Sequence, residues 1–304
     1  MLDKQLQYYM NRYLFCALLS AVFSSFSTIG RWIAVLDLPL FFVSLVGWFT
    51  GALVLAPWVL PRLRNTVLSL SPSSRRKLAV LFFVAFPLNG AIFAAMPAVT
   101  TATNTALFLR MEPYLIMLFA WIFHRSRPHP GEVTLLTVHI VGALLIALGG
   151  AWGVSGSERS TWIGDCMAFA GVVNSALCYP IYKQVSQEVG HLTFGFLFSI
   201  ASVLPVLILY LLFEVSQPIV FTERGVLGLV TIMLYSVSAV PLFFYAIRGL
   251  PSWKVSAFRV VSPVIVVPLA WLLLGEQMSG VQLLGAFLVL VTTIMLARQP
   301  NVIR

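Results

Sequence analysis

Four stretches of this chain carry no aspartate, glutamate, lysine or arginine: Leu38 to Pro61, Val133 to Ser157, Gly225 to Ile247 and Gln277 to Ala297. Each exceeds the roughly 18 residues that mark a helix able to cross a bilayer. A further charge-free stretch, Leu78 to Leu109, is too long for one crossing. It breaks near Met96-Pro97 and Thr100-Thr101, which reads as two helices joined by a tight turn. Lipid offers the backbone no hydrogen-bond partner, so such stretches must close their own amides and carbonyls as helices. Charged residues make up 10% of the chain and hydrophobic ones 60%, with a mean hydropathy of +0.95. A soluble domain carries about 25% charged residues, so lipid must cover much of this surface.

The expected spans are 13–34, 38–60, 78–96, 100–123, 132–152, 162–183, 192–213, 225–247, 252–274 and 279–297. The apolar run Tyr13 to Gly30 ends at Arg31 with no small-x-small cleavage site, and reads as a retained first helix rather than a signal peptide. The clearest connections are Pro61 to Lys77, Arg125 to Gly131 and Ser155 to Ser160. Cys16, Cys166 and Cys178 sit in apolar runs without metal-ligand spacing and read as small buried hydrophobes.

The net charge of +9 comes from basic residues in the short connections, where they orient a membrane protein rather than bind nucleic acid. With a cytoplasmic N-terminus and ten spans, 14 lysines and arginines fall on the cytoplasmic side and 3 (Arg31, Arg159, Arg224) on the far side. Arg110 and Arg259 remain inside spans. That asymmetry places both termini in the cytoplasm, and with them an even number of spans.

The two halves, 1–155 and 156–304, also resemble each other. Shifted by 150 positions, Phe93 to Phe123 lies on Phe243 to Leu273, with identities at Phe93/Phe243, Phe108/Phe258, Pro113/Pro263, Ala120/Ala270 and Trp121/Trp271. Gly142 is the apparent partner of Gly285. Five spans per half is an odd number, so the second half must enter the membrane inverted. Inverted repeats are a common plan of secondary transporters, with the substrate site near the midplane.

The stretch Ala257 to Val291, AFRVVSPVIVVPLAWLLLGEQMSGVQLLGAFLVLV, combines a mid-helix proline, an apolar run, Leu-Gly-Glu, a turn, then Gln-x-x-Gly and a last helix. Ile163-Gly164-Asp165-Cys166 opens the sixth span and Phe244-Tyr245-Ala246 closes the eighth. On these residues the chain resembles the drug/metabolite transporter superfamily, in its EamA-type branch. It departs from that pattern at Arg125-Ser126, which stand opposite Gly275-Glu276 of the second repeat. It also lacks the tryptophan usual in the first span and the arginine often found early in the second. The resemblance implies an all-α integral membrane protein: ten transmembrane helices in two inverted five-helix repeats around a central cavity. Spans 1, 3, 4, 6, 8 and 9 would line the cavity, and spans 5 and 10 would stand apart, where they often support a homodimer. Substrates in such a family are small and diverse, from amino acids and other metabolites to amphipathic toxins.

Glu112 is the most informative single residue. It lies near the centre of the fourth span, directly before Pro113. A charge at that depth costs about 3 kcal/mol on insertion scales and usually faces a bundle interior or a wet cavity. It reads either as a substrate-binding or proton-carrying group or as a structural partner of Arg110 or Arg259. Arg259, four residues before Pro263, can bind a carboxylate or snorkel toward the cytoplasm. Asn89, Asn104, Asn174 and Tyr179 read as interhelical hydrogen bonds or ligand contacts. The candidate cavity set is therefore Glu112, Arg259, Pro113, Pro263, Arg110, Asn89, Asn174 and Tyr179. His124, His129, His139 and His191 have no metal-ligand spacing, and nucleotide and zinc-peptidase motifs are absent, so no cofactor or metal is expected. The expectation is a non-enzymatic exporter of small metabolites in the cell (inner) membrane. A multidrug exporter of the same fold is the near alternative, and an intramembrane enzyme the distant one.

Reporter fusions after Arg304 and within residues 62–77 should both read cytoplasmic. A far-side reading of the C-terminal fusion would remove the inverted repeat as well.

Overall fold

The computed structural model describes residues 2–99, 102–124, 130–151, 162–262, 264–265, 268–269, 272 and 279–298. These residues form helices and no strands. In chain order they are α1 Leu2–Ala34, α2 Leu40–Ser69, α3 Pro72–Val80, α4 Phe86–Val99, α5 Ala102–His124, α6 Pro130–Ala151, α7 Trp162–Val189, α8 His191–Phe213, α9 Glu223–Leu234, α10 Val240–Gly249, α11 Ser252–Arg259 and α12 Gly280–Arg298. Among the described residues, five segments are long and apolar enough to cross a membrane: Asn11–Arg31, Leu40–Ser69, Pro72–Met96, His191–Phe213 and Glu223–Gly249. Met111–Phe123, Pro130–Leu145 and Leu283–Leu296 are shorter apolar helices.

The chain forms two compact units, and each draws on both halves of the sequence. One contains Met1–Ala95 with Ile181–Gly249, the other Met96–Pro180 with Leu250–Arg304.

In the first unit α2 packs along α8, and α1 along α9 and α10. An aromatic cluster fills its interior: Phe194 and Phe244 have ring centroids 4.5 Å apart, with Phe86, Tyr182 and Phe198 around them. At one end Glu214 Oε2 accepts from the amides of Phe41 and Phe42 at 2.7 and 3.2 Å. A carboxylate there satisfies orphan donors and suits the positive end of α2.

The expected connection from Pro61 to Lys77 is helical except at Leu70 and Ser71, because α2 continues through Pro57 and Pro61 to Ser69. The two prolines are four residues apart and exposed, so the missing bonds fall on one outer face of the helix. The break comes at Ser71, whose hydroxyl accepts from the Ser74 amide at 3.1 Å, with Pro72 in the first turn of α3. Serine before proline is a strong helix-start pair.

Two apolar segments contain a turn of π-helix, Leu81–Ala85 between α3 and α4 and Tyr235–Ala239 between α9 and α10. Each is followed by a proline, Pro87 and Pro241. A proline ring clashes with the carbonyl four residues back and cannot bond to it. Those carbonyls, of Phe83 and Val237, lie inside the widened turns. Ser20 on α1 donates to the Ala239 carbonyl at 2.9 Å, so part of the disturbed backbone is satisfied from a neighbouring helix. The matching residues Ala85/Ala239, Pro87/Pro241 and Leu88/Leu242 are 154 positions apart (239 less 85), not 150. Here the two halves correspond one helical turn out of step with the Phe93/Phe243 alignment.

Helices α1 and α9 touch backbone to backbone. A Cβ on Gly228 would stand 2.4 Å from the Gly30 carbonyl oxygen, and one on Gly30 would stand 1.6 Å from Thr231 Oγ1. In the second unit α6 packs along α12, and a Cβ on Gly142 would stand 2.9 Å from the Gly285 carbonyl oxygen. The two glycines paired from the sequence thus meet at one helix crossing. Small residues at such crossings let helices approach closely in lipid.

Gly228→Leu should lower the thermal unfolding midpoint in detergent by several degrees, since overpacking costs about 1–3 kcal/mol or more. Gly280, with nothing within 4 Å of an added Cβ, should tolerate alanine without loss. Equal behaviour of the two variants would contradict the backbone contact.

Candidate functional site

Helix α5 must carry Glu112 through an apolar segment, and the second unit meets that carboxylate with hydroxyls. Glu112 is 6% exposed, and Pro113 beside it is buried. Glu112 Oε2 accepts from Tyr179 Oη on α7 at 2.9 Å and from Ser256 Oγ on α11 at 2.6 Å. Tyr179 and Ser256 are each 1% exposed. Arg259 does not bond the carboxylate; its Nη1 donates to the Tyr179 hydroxyl at 3.4 Å. Ser256 and Arg259 are three residues apart, so α11 presents both on one face. Three helices therefore bring an acid, two hydroxyls and a cation together, with one tyrosine oxygen between the two opposite charges.

The sequence-derived pairing of Glu112 with Arg259 is thus indirect. A direct buried ion pair would offset much of its desolvation by mutual attraction. Here the carboxylate is held by hydroxyl donors, both on Oε2, and no hydrogen bond reaches Oε1 among the described residues. Such an anion keeps capacity for another positive partner, a proton or a ligand cation.

Two other expected residues have contacts of their own. Asn89 is buried in the first unit, where its Nδ2 donates to Tyr182 Oη at 3.5 Å. Asn174 lies on α7, partly buried, with its Oδ1 4.0 Å from Cys178 Sγ. The side chains of Arg110 and Asn104, and the whole of Pro263, lie outside the described residues.

Ser256 escaped the sequence reading, although its place one turn before Arg259 could have revealed it. His139 was set aside for want of ligand spacing, yet it is fully buried in α6. Its Nε2 donates to the Ala257 carbonyl at 2.9 Å, and its Nδ1 lies 2.8 Å from Thr292 Oγ1 on α12. Because a carbonyl only accepts, this contact fixes the proton on Nε2. His139 thereby ties α6 and α12 to the residue that follows Ser256.

A search of curated proteins finds no significant match. Among solved structures, one described only as "Crystal structure of protein" superposes with a TM-score of 0.73 at 17% sequence identity, over 94% of this chain and 96% of that one. At that identity the likeness is one of fold. The model of the EamA-like transporter family matches twice, over residues 11–148 and 162–298, so it covers most of the chain as two repeats. With its long apolar helices, this chain is an integral membrane protein that belongs to the EamA-like transporter family.

Proposed function

We propose that the chain is a secondary transporter that exports small metabolites such as amino acids, with Glu112 as its binding or coupling centre. Ten spans in two inverted five-helix repeats surround the cavity. Both termini face the cytoplasm, and the protein resides in the cell membrane. The observation that carries this reading is the buried Glu112 carboxylate, bonded to Tyr179 and Ser256, with Arg259 donating to the same tyrosine hydroxyl.

Two features support a zwitterionic substrate. The acid and the arginine meet at one tyrosine hydroxyl, and an amino acid carries an ammonium to suit the one and a carboxylate to suit the other. An ammonium would pair with the Glu112 carboxylate, and a carboxylate would accept from the planar guanidinium of Arg259. A multidrug exporter of amphipathic cations would use Glu112 in the same way but would have no need of Arg259.

Cells overproducing the chain should gain resistance to inhibitory amino acids or their analogues. Glu112→Gln should abolish that resistance while membrane expression stays intact. Tyr179→Phe keeps the ring but removes the hydroxyl between the charges, and should weaken transport at least about tenfold, the equivalent of one charge-assisted hydrogen bond. If the acid only balances the arginine, Glu112→Gln with Arg259→Gln would restore much of the activity lost in either single change. The expected result is no restoration. Full transport by Glu112→Gln across a range of pH would overturn the assignment. Resistance to apolar cations that survives Arg259→Gln would select the multidrug reading.

A further inference from the structure

A groove of about 640 Å³ runs along the first unit between α1, the start of α8 and the π-turn with α10. One end is basic and aromatic. Arg12, His191 and Tyr245 line it there, the His191 and Tyr245 rings meet edge to face at 5.0 Å, and the Tyr13 ring packs against Tyr245 at 5.0 Å. Arg248, one turn below Tyr245, adds positive potential to both His191 and Tyr245. Among the described residues, no aspartate or glutamate lines the groove. Glu188, on the nearby end of α7, accepts from Ser74 Oγ at 2.5 Å.

The rest of the groove is apolar. Phe15, Phe23, Leu192 and Leu242 line it, with Val237 and Ser238 of the π-turn at its deeper end. Phe15 is 64% exposed, a large apolar surface beside a cation. From Arg12 to Phe23 the α1 axis rises about 16 Å, close to half of a hydrocarbon core about 30 Å thick. A cationic mouth above an apolar trough one leaflet deep matches a molecule with an anionic head and a long chain. A small hydrophilic anion would leave the trough empty, and a zwitterionic lipid would bring a second positive charge to a basic mouth.

We propose that this groove is a binding site for an anionic phospholipid. The phosphate sits among Arg12, His191 and the Tyr245 hydroxyl, with Arg248 in support, and one acyl chain lies along Phe15, Phe23 and Leu242. Basic pockets between membrane helices recognise anionic headgroups through the same charge complementarity. The groove shares no residue with the Glu112 cluster, and its occupancy does not depend on what the protein transports.

The test is native mass spectrometry of the purified full chain in detergent, titrated with phosphatidylglycerol or cardiolipin and, separately, with phosphatidylcholine. Anionic lipid should stay bound and phosphatidylcholine should not. Arg12→Gln with Arg248→Gln should cut the lipid-bound fraction about tenfold or more. Arg62→Gln with Arg64→Gln, which removes the same charge from the exposed end of α2, should leave it unchanged. Leu242→Trp keeps every charge but fills the trough, and should also displace lipid; it covers the case in which the double arginine variant fails to fold. Equal retention of phosphatidylcholine, equal loss in the Arg62/Arg64 control, or displacement by millimolar inorganic phosphate would each overturn the proposal.

Discussion

In a bilayer, a backbone amide or carbonyl without a partner costs several kcal/mol, and no water is at hand to relieve it. That constraint accounts for the helical character of the described residues, and it is most visible where the helices are disturbed. Pro57 and Pro61 are kept on an exposed face of α2. Pro87 and Pro241 sit behind π-turns, and Ser20 supplies a hydroxyl to the carbonyl of Ala239. Glu214 does the equivalent for the amides that open α2. Each irregularity is local.

The same rule gives the Glu112 cluster its meaning. A carboxylate in an apolar helix is costly, and the least demanding solution would be a direct cation partner. Instead, α7 and α11 supply hydroxyls to one of its oxygens, while the nearest arginine described is held one hydroxyl away. Both hydroxyls meet the same oxygen of Glu112, and the arginine reaches the cluster through the tyrosine.

Much of this was legible in the sequence because charge and hydropathy carry the signal. Charge-free runs located the helices, and the depth of Glu112 singled it out before Tyr179 was known to touch it. Gly142 and Gly285, matched only by position, turned out to pack against each other. Ser256 and His139 were hidden for a physical reason: serine is common in membrane helices, and a lone histidine has no spacing to betray it. Only the crossing of α5, α6, α7, α11 and α12 brings these side chains to their partners. The end of α2 was misjudged because proline usually stops a helix, and nothing local shows that its ring will face outward. The four-residue offset between the π-turns was invisible to an alignment built on identities farther along the chain.

A π-turn accommodates one residue more than the regular helix would at that place. Drawing that residue back into α-geometry would rotate the rest of the span by about 100° and advance it by about 1.5 Å, with every bond beyond the turn intact. The widened turns at Leu81–Ala85 and Tyr235–Ala239 thus set the rotational phase of the segments beyond them, each beside a proline that already forbids the ordinary bond.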